Sequence, residues 1–94
     1  MIVRFTRAAS KHRISRDRSR YVIEHCGRVL REAPPAGATG SATDRLIYLG
    51  DDAAGVSLEV MAVKLASGGL LAIHAMPLRP KYQADYDEAK SWRR

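Results

Sequence analysis

The stretch GGLLAIHAMPLRPKYQADY, residues 68–86, holds the residue types best suited to chemistry in this chain. His74 sits in an apolar, strand-like run, and Arg79 and Lys81 follow it within seven residues. Imidazole titrates near neutral pH, so a histidine at a strand end can move protons while a 2′-hydroxyl attacks a phosphodiester. Cations beside the phosphorus offset the charge that develops there, and the planar guanidinium of Arg79 can grip two phosphate oxygens at once. Tyr82 and Tyr86, one helical turn apart, can stack on bases or donate hydroxyl protons. The competing reading makes His74 a histidine bonded between sheet and helix, Arg79 and Lys81 a solvated helix start, and the tyrosines a packed helix face. A cation at a helix N-terminus opposes the helix dipole, which favours a functional reason for the two basic residues.

A second basic group, Lys11, His12 and Arg13, forms a compact turn, and Arg45 opens a later strand that can point into the same cleft. No metal ligand set is expected: His12, His25 and His74 lack ligand spacing, and Asp51 and Asp52 are adjacent in a turn and face different ways. There is no glycine-rich phosphate loop ahead of a helix, so no cofactor is expected. The single cysteine, Cys26, excludes an internal disulfide and reads as a small core residue in a reducing, cytoplasmic setting.

The 94 residues suffice for one domain, 1–94, with a largely aliphatic core, since aromatics make up 6%. The net charge of +6 points to an anionic partner: nucleic acid, an acidic protein or a membrane surface. Residues 1–34 carry nine Lys/Arg against three Asp/Glu, residues 35–78 two against four, and residues 79–94 five against three. The positive charge thus lies at the two ends of the chain. No apolar run approaches the roughly 20 residues of a membrane span, and no membrane is expected among the partners.

These residues need elements to hold them. TRAASKHR, residues 6–13, reads as a short helix with Thr6 as its N-cap. Ser15 caps a second helix to about Cys26, with Ser19, Val22, Ile23 and Cys26 as its buried stripe and Gly27 as its C-cap. RVLREA is a candidate edge strand, and the Pro- and Gly-rich segment 33–44 a mobile loop. RLIYLGD, VSLEVMAVKLA and LLAIHAM read as three strands joined by the short turns GDDAAG and SGG, hence an antiparallel meander. Strand alternation puts His74 with Ala72 and Met76, opposite Ile73 and Ala75. Pro80 starts a final helix with Tyr82, Tyr86 and Ala89 on one face. The expected fold is α+β: two N-terminal helices, an antiparallel meander of three to four strands and a C-terminal helix, with the helices on one face of the sheet.

In this order FTRAASKHRIS, DRLIYLG and LLAIHAMPLRPKYQADYDEA resemble the BrnT-like ribonuclease toxins of bacterial toxin–antitoxin pairs. In that family a KHG(I/V)S-like turn precedes a helix, an R-x-x-x-x-G strand follows, and an I-S-A-R strand runs into a Tyr-containing helix. Lys11, His12, Ile14 and Ser15 match the first element, Arg45 and Gly50 the second, and Ile73, Ala75 and Tyr86 the third. Arg13 stands in place of the glycine, His74 in place of the serine and Met76 in place of the arginine. The resemblance implies a RelE/ParE-like fold, RNA cleavage that inhibits translation and an antitoxin encoded beside the toxin. Taken together with the crowding of basic residues at the strand exit, it makes His74, Arg79, Lys81 and Tyr86 the expected catalytic residues, Arg79 standing in for the missing arginine. Lys11, His12, Arg13, Arg45 and Tyr82 are the expected RNA contacts. The expected function is a metal-independent endoribonuclease restrained by an acidic antitoxin. The alternatives are a toxin-like fold that binds nucleic acid or protein without cleaving, and an inhibitor of gyrase.

Overall fold

A computed structural model describes residues 2–10, 12–33 and 44–92. Lys11 and most of the segment 33–44 lie outside the described residues. Five strands form one sheet: β1 (Val3–Phe5), β2 (Arg28–Glu32), β3 (Arg45–Asp51), β4 (Ser57–Lys64) and β5 (Leu70–Pro77), in the order β1-β5-β4-β3-β2. Strands β2 to β5 run antiparallel to their neighbours, and β1 joins β5 in parallel. The sheet is therefore mixed, and the expected pair of N-terminal helices ahead of an antiparallel meander is corrected. The chain begins with a strand, and TRAASKHR gives only a 3₁₀ turn over Arg7–Ser10. Four residues cannot repay helix nucleation, and Thr6 ties the segment to β5 through its backbone N–H to the Ala72 carbonyl (3.0 Å).

Two glycines make the parallel pairing of β1 possible. Gly68 and Gly69 have φ of 85° and 94°, where side chains are disfavoured. A Cβ on Gly69 would lie 2.6 Å from the Ile2 carbonyl oxygen, the same oxygen that accepts the Leu70 N–H at 2.9 Å. The tight turn and the approach of β1 thus depend on the same missing side chain.

Helix α1 (Arg16–His25) begins at Ser15, whose side chain accepts the Arg18 N–H. Ser19, Val22 and Ile23 are buried, as the spacing requires. The helix ends at Cys26 in an extended conformation, so Gly27 is not its cap. Gly50 instead explains the close packing there: a Cβ on it would stand 3.2 Å from both Cα and Cβ of Cys26. The C-terminal segment is a 3₁₀ turn, Pro80–Tyr82, that runs into helix α2 (Gln83–Trp92).

The helices do not share a face of the sheet. One apolar cluster joins Ile14, Val22 and Ile23 to Leu46, Tyr48, Leu58, Val60, Ala62, Ala72 and Ala75. The other joins Tyr82 and Tyr86 to Ile47, Leu49 and Met61. Alternate residues of β3 and β4 enter opposite clusters, so both strands are buried on both sides and show no polar face. Among the described residues, no helix is long and apolar enough to cross a membrane.

Candidate active site

The site forms where β5 leaves the sheet, and an irregularity in that strand aims its histidine. Met61 of β4 lies opposite His74, yet Ala62 lies opposite Ala72, so Ile73 has no partner of its own on β4. This bulge shifts the alternation by one residue, and bulges commonly re-aim a side chain beside a working site. Ala72 and Ala75 consequently pack under α1, while Ile73 packs with the α2-side cluster. The expected grouping of His74 with Ala72 is corrected for that reason. His74 does share a face with Met76: its Nε2 lies 2.7 Å from the Met76 Sδ.

The residue that organises this corner is Glu59, which no sequence motif singles out. Glu59 is 1% exposed on β4. Its Oε1 accepts from Arg79 Nε at 2.7 Å and from Arg79 Nη2 at 2.6 Å, while Oε2 accepts the Arg79 backbone N–H at 3.0 Å. A buried carboxylate is tolerated only with such partners. The hydrogen bond that Arg79 donates to Glu59 holds its guanidinium above its ordinary pKa. Oε1 also stands 3.8 Å from His74 Nε2. A thioether and a carboxylate are both acceptors, so they favour the imidazole proton on Nε2.

The His12 ring meets the His74 ring edge-on, with centroids 5.5 Å apart. The basic turn, 62 residues away in sequence, thus reaches the β5 exit because the first 3₁₀ turn packs on β5. On the other side, Arg79 and Lys81 flank the Tyr82 ring, at 5.7 and 4.9 Å from its centroid. The Tyr82 hydroxyl donates to Glu32 Oε2 at 2.7 Å, and Glu32 Oε1 lies 3.5 Å from Arg45 Nη2. Arg45 therefore belongs to the same chain of charges, one step behind Tyr82. Burial, and then the hydrogen bond to Glu32, push the Tyr82 phenol up to about 12.

The residues named from sequence divide accordingly. His12, His74, Arg79, Lys81, Tyr82 and Arg45 are linked through contacts with one another or with the two glutamates. Tyr86 is engaged elsewhere: its hydroxyl donates to Asp51 Oδ1 at 2.5 Å and accepts from Ser57 Oγ at 3.1 Å, between β3 and β4. It is 8% exposed and serves to seat α2, which leaves its expected catalytic role without support. Arg13 is exposed beside His12. Lys11 lies outside the described residues. Glu59 had one legible signal, an isolated acid inside the apolar run VSLEVMAV. Among the described residues, no group of three or more His, Cys, Asp or Glu is placed to hold a metal ion.

Tyr82 provides a pH test of this arrangement. Its folded pKa lies above the ordinary value of 10.0, so the folded state keeps a proton that the unfolded chain loses. The resulting stability is complete below about pH 10 and declines as pH rises towards about 12. Chemical denaturation at about pH 9 and about pH 11 should show a larger loss for the wild type than for Tyr82→Phe. Equal losses would mean that the phenol is not held by burial and Glu32.

No family model, curated protein or solved structure matches this chain. No match bears on the likeness to the BrnT-like toxins, and the fold expected with it, two N-terminal helices ahead of an antiparallel meander, is not the one found.

Proposed function

We propose that the chain is an endoribonuclease that works without a metal ion, the toxin of a toxin–antitoxin pair held inactive by an acidic antitoxin. The observation that carries this reading is the convergence of His12, His74 and Arg79 at the β5 exit, with Arg79 and His74 both set against the buried Glu59. In the reaction, the 2′-oxygen of a ribose attacks the adjacent phosphorus and the bond to the 5′-oxygen breaks. The 2′-hydroxyl gives up its proton and the departing 5′-oxygen gains one, leaving a 2′,3′-cyclic phosphate and a free 5′-hydroxyl. His74 is the proton carrier. Arg79 offers the phosphate its Nη1, which no carboxylate among the described residues engages. Lys81 adds a second positive charge.

A second reading, a module that binds RNA without cutting it, is favoured by the Arg79 contacts. Nε and Nη2 of that guanidinium are already committed to Glu59, which reduces what it can give a transition state. Incubation of the purified protein with single-stranded RNA in EDTA separates the two. Cyclic-phosphate ends support the nuclease. Binding without new ends supports the module, and abolition of cleavage by EDTA refutes the metal-free scheme.

A further inference from the structure

The arginines among the described residues fall into two sets. Arg18, Arg20, Arg28, Arg31, Arg45 and Arg79 each lie within 4 Å of a carboxylate. Arg4, Arg7, Arg13 and Arg16 have no such partner among the described residues, and all four are exposed. They are the first four arginines of the chain: Arg4 is on β1, Arg7 opens the first 3₁₀ turn, Arg13 lies in the turn after it and Arg16 starts α1. Phe5, half-buried and packed on the α1-side cluster, has the Arg16 and Arg20 guanidiniums at 5.6 and 5.7 Å from its ring centroid. This basic patch adjoins the candidate site at Arg13, the residue after His12, whose ring meets that of His74.

Arg13 stands out within this set because its backbone opposes it. It has φ of 62° and is the only non-glycine residue with positive φ among the described residues. The conformation is imposed on both sides: the Arg13 N–H donates to the Ser10 carbonyl at 3.1 Å, and the next residue, Ile14, is 4% exposed in the core. Glycine meets that demand without steric cost. A long charged side chain held there, adjacent to the candidate site and without an ion pair, points to a use for its charge.

We infer that this patch is a track for the phosphate backbone of single-stranded RNA, and that Arg13 is the contact that positions the strand at His74. Unpaired guanidiniums supply phosphate binding regardless of sequence, and an aromatic ring between arginines supplies a stacking surface for a base. The inference rests on the RNA reading above but not on cleavage.

The test is binding of a fluorescein-labelled, single-stranded 2′-O-methyl oligonucleotide, read by anisotropy across a salt series. This probe cannot be cleaved, so nuclease failure and track failure are read separately. Arg13→Gly should weaken binding about tenfold and reduce the slope of log K against log salt by about 0.7, the value for one phosphate of a single strand no longer neutralised. The same substitution should leave Tm unchanged or raise it by about 2–5 °C, since it relieves the left-handed backbone. Arg13→Lys should retain most of the affinity, because a point charge still reaches phosphate. Loss of affinity together with stability would make Arg13 structural. Unchanged affinity and slope would overturn the track, as would tighter, Arg13-dependent binding of poly-glutamate, which would mark an acidic protein as the occupant. Intact Arg13-dependent binding without any cleavage of ordinary RNA would support the track and remove only the catalytic reading.

Discussion

Single-turnover cleavage of RNA in EDTA should fall by at least about 10² when His74 is replaced by Gln, with the fold intact. General acid–base groups contribute about 10²–10⁴-fold. Glutamine keeps a polar group of similar reach but cannot carry a proton between the 2′- and 5′-oxygens. The substitution should be tolerated structurally. His74 is partly exposed, with a side chain 27% accessible, and its Nε2 faces a thioether and a carboxylate to which an amide N–H can equally donate. Circular dichroism and Tm serve as the folding controls. Full activity in His74→Gln would remove the imidazole from the mechanism and leave the site as an anion-binding corner.

The strands and their turns were legible in the sequence where local signals suffice. RLIYLGD, VSLEVMAVKLA and LLAIHAM are rich in β-formers and separated by short turns, and the structure places β3, β4 and β5 there, each antiparallel to the next. The start of α1 was legible through Ser15. What escaped depends on partners far along the chain. VRF is three residues long and becomes a strand only because Leu70–Ala72 lies beside it, in a register no local pattern encodes. The helix expected over residues 6–13 failed for the same reason: Thr6 Oγ1 does accept the Ala9 N–H as a cap, but the Thr6 N–H is bonded to Ala72 and the segment gives only a 3₁₀ turn.

The site shows the same limit. His74, Arg79 and Lys81 are close in sequence, and their proximity at one strand exit follows from that spacing. The bulge at Ile73 cannot be read from LLAIHAM, yet it sets the face on which His74 lies. Glu59 shows only as an isolated acid in an apolar run, and Glu32 carries no signal at all, because a strand acid usually faces water. Here the α2 segment closes over that face, and each carboxylate acquires a donor from it, Arg79 for one and Tyr82 for the other.

The Glu59–Arg79 pair should give the largest stability effects in the molecule, and they should be asymmetric. The Glu59 side chain is 2% accessible and that of Arg79 37%. Arg79→Ala strands a carboxylate in the interior with its two guanidinium donors gone, and breaking a buried pair in this way costs about 3–5 kcal/mol. Glu59→Leu leaves the cation, but that side chain already reaches solvent and can hydrate, so the exposed end of the pair is worth little. The loss there should be nearer 1–2 kcal/mol, about what one backbone N–H without its acceptor and altered packing would cost. The double variant Glu59→Leu/Arg79→Ala should be more stable than Arg79→Ala alone, because no charge remains to be compensated. Urea denaturation of the four proteins measures the cycle, and a coupling of at least about 2 kcal/mol is expected. Additive losses would mean that the two side chains are solvated independently, and the corner that presents Arg79 beside His74 would then have no anchor. The cycle also sets the condition for reading activity. If Arg79→Ala abolishes cleavage while Glu59→Leu, which frees the guanidinium, preserves it, the cation itself acts on the phosphate. If both abolish cleavage in folded protein, the contribution of Glu59 is to hold Arg79 in place.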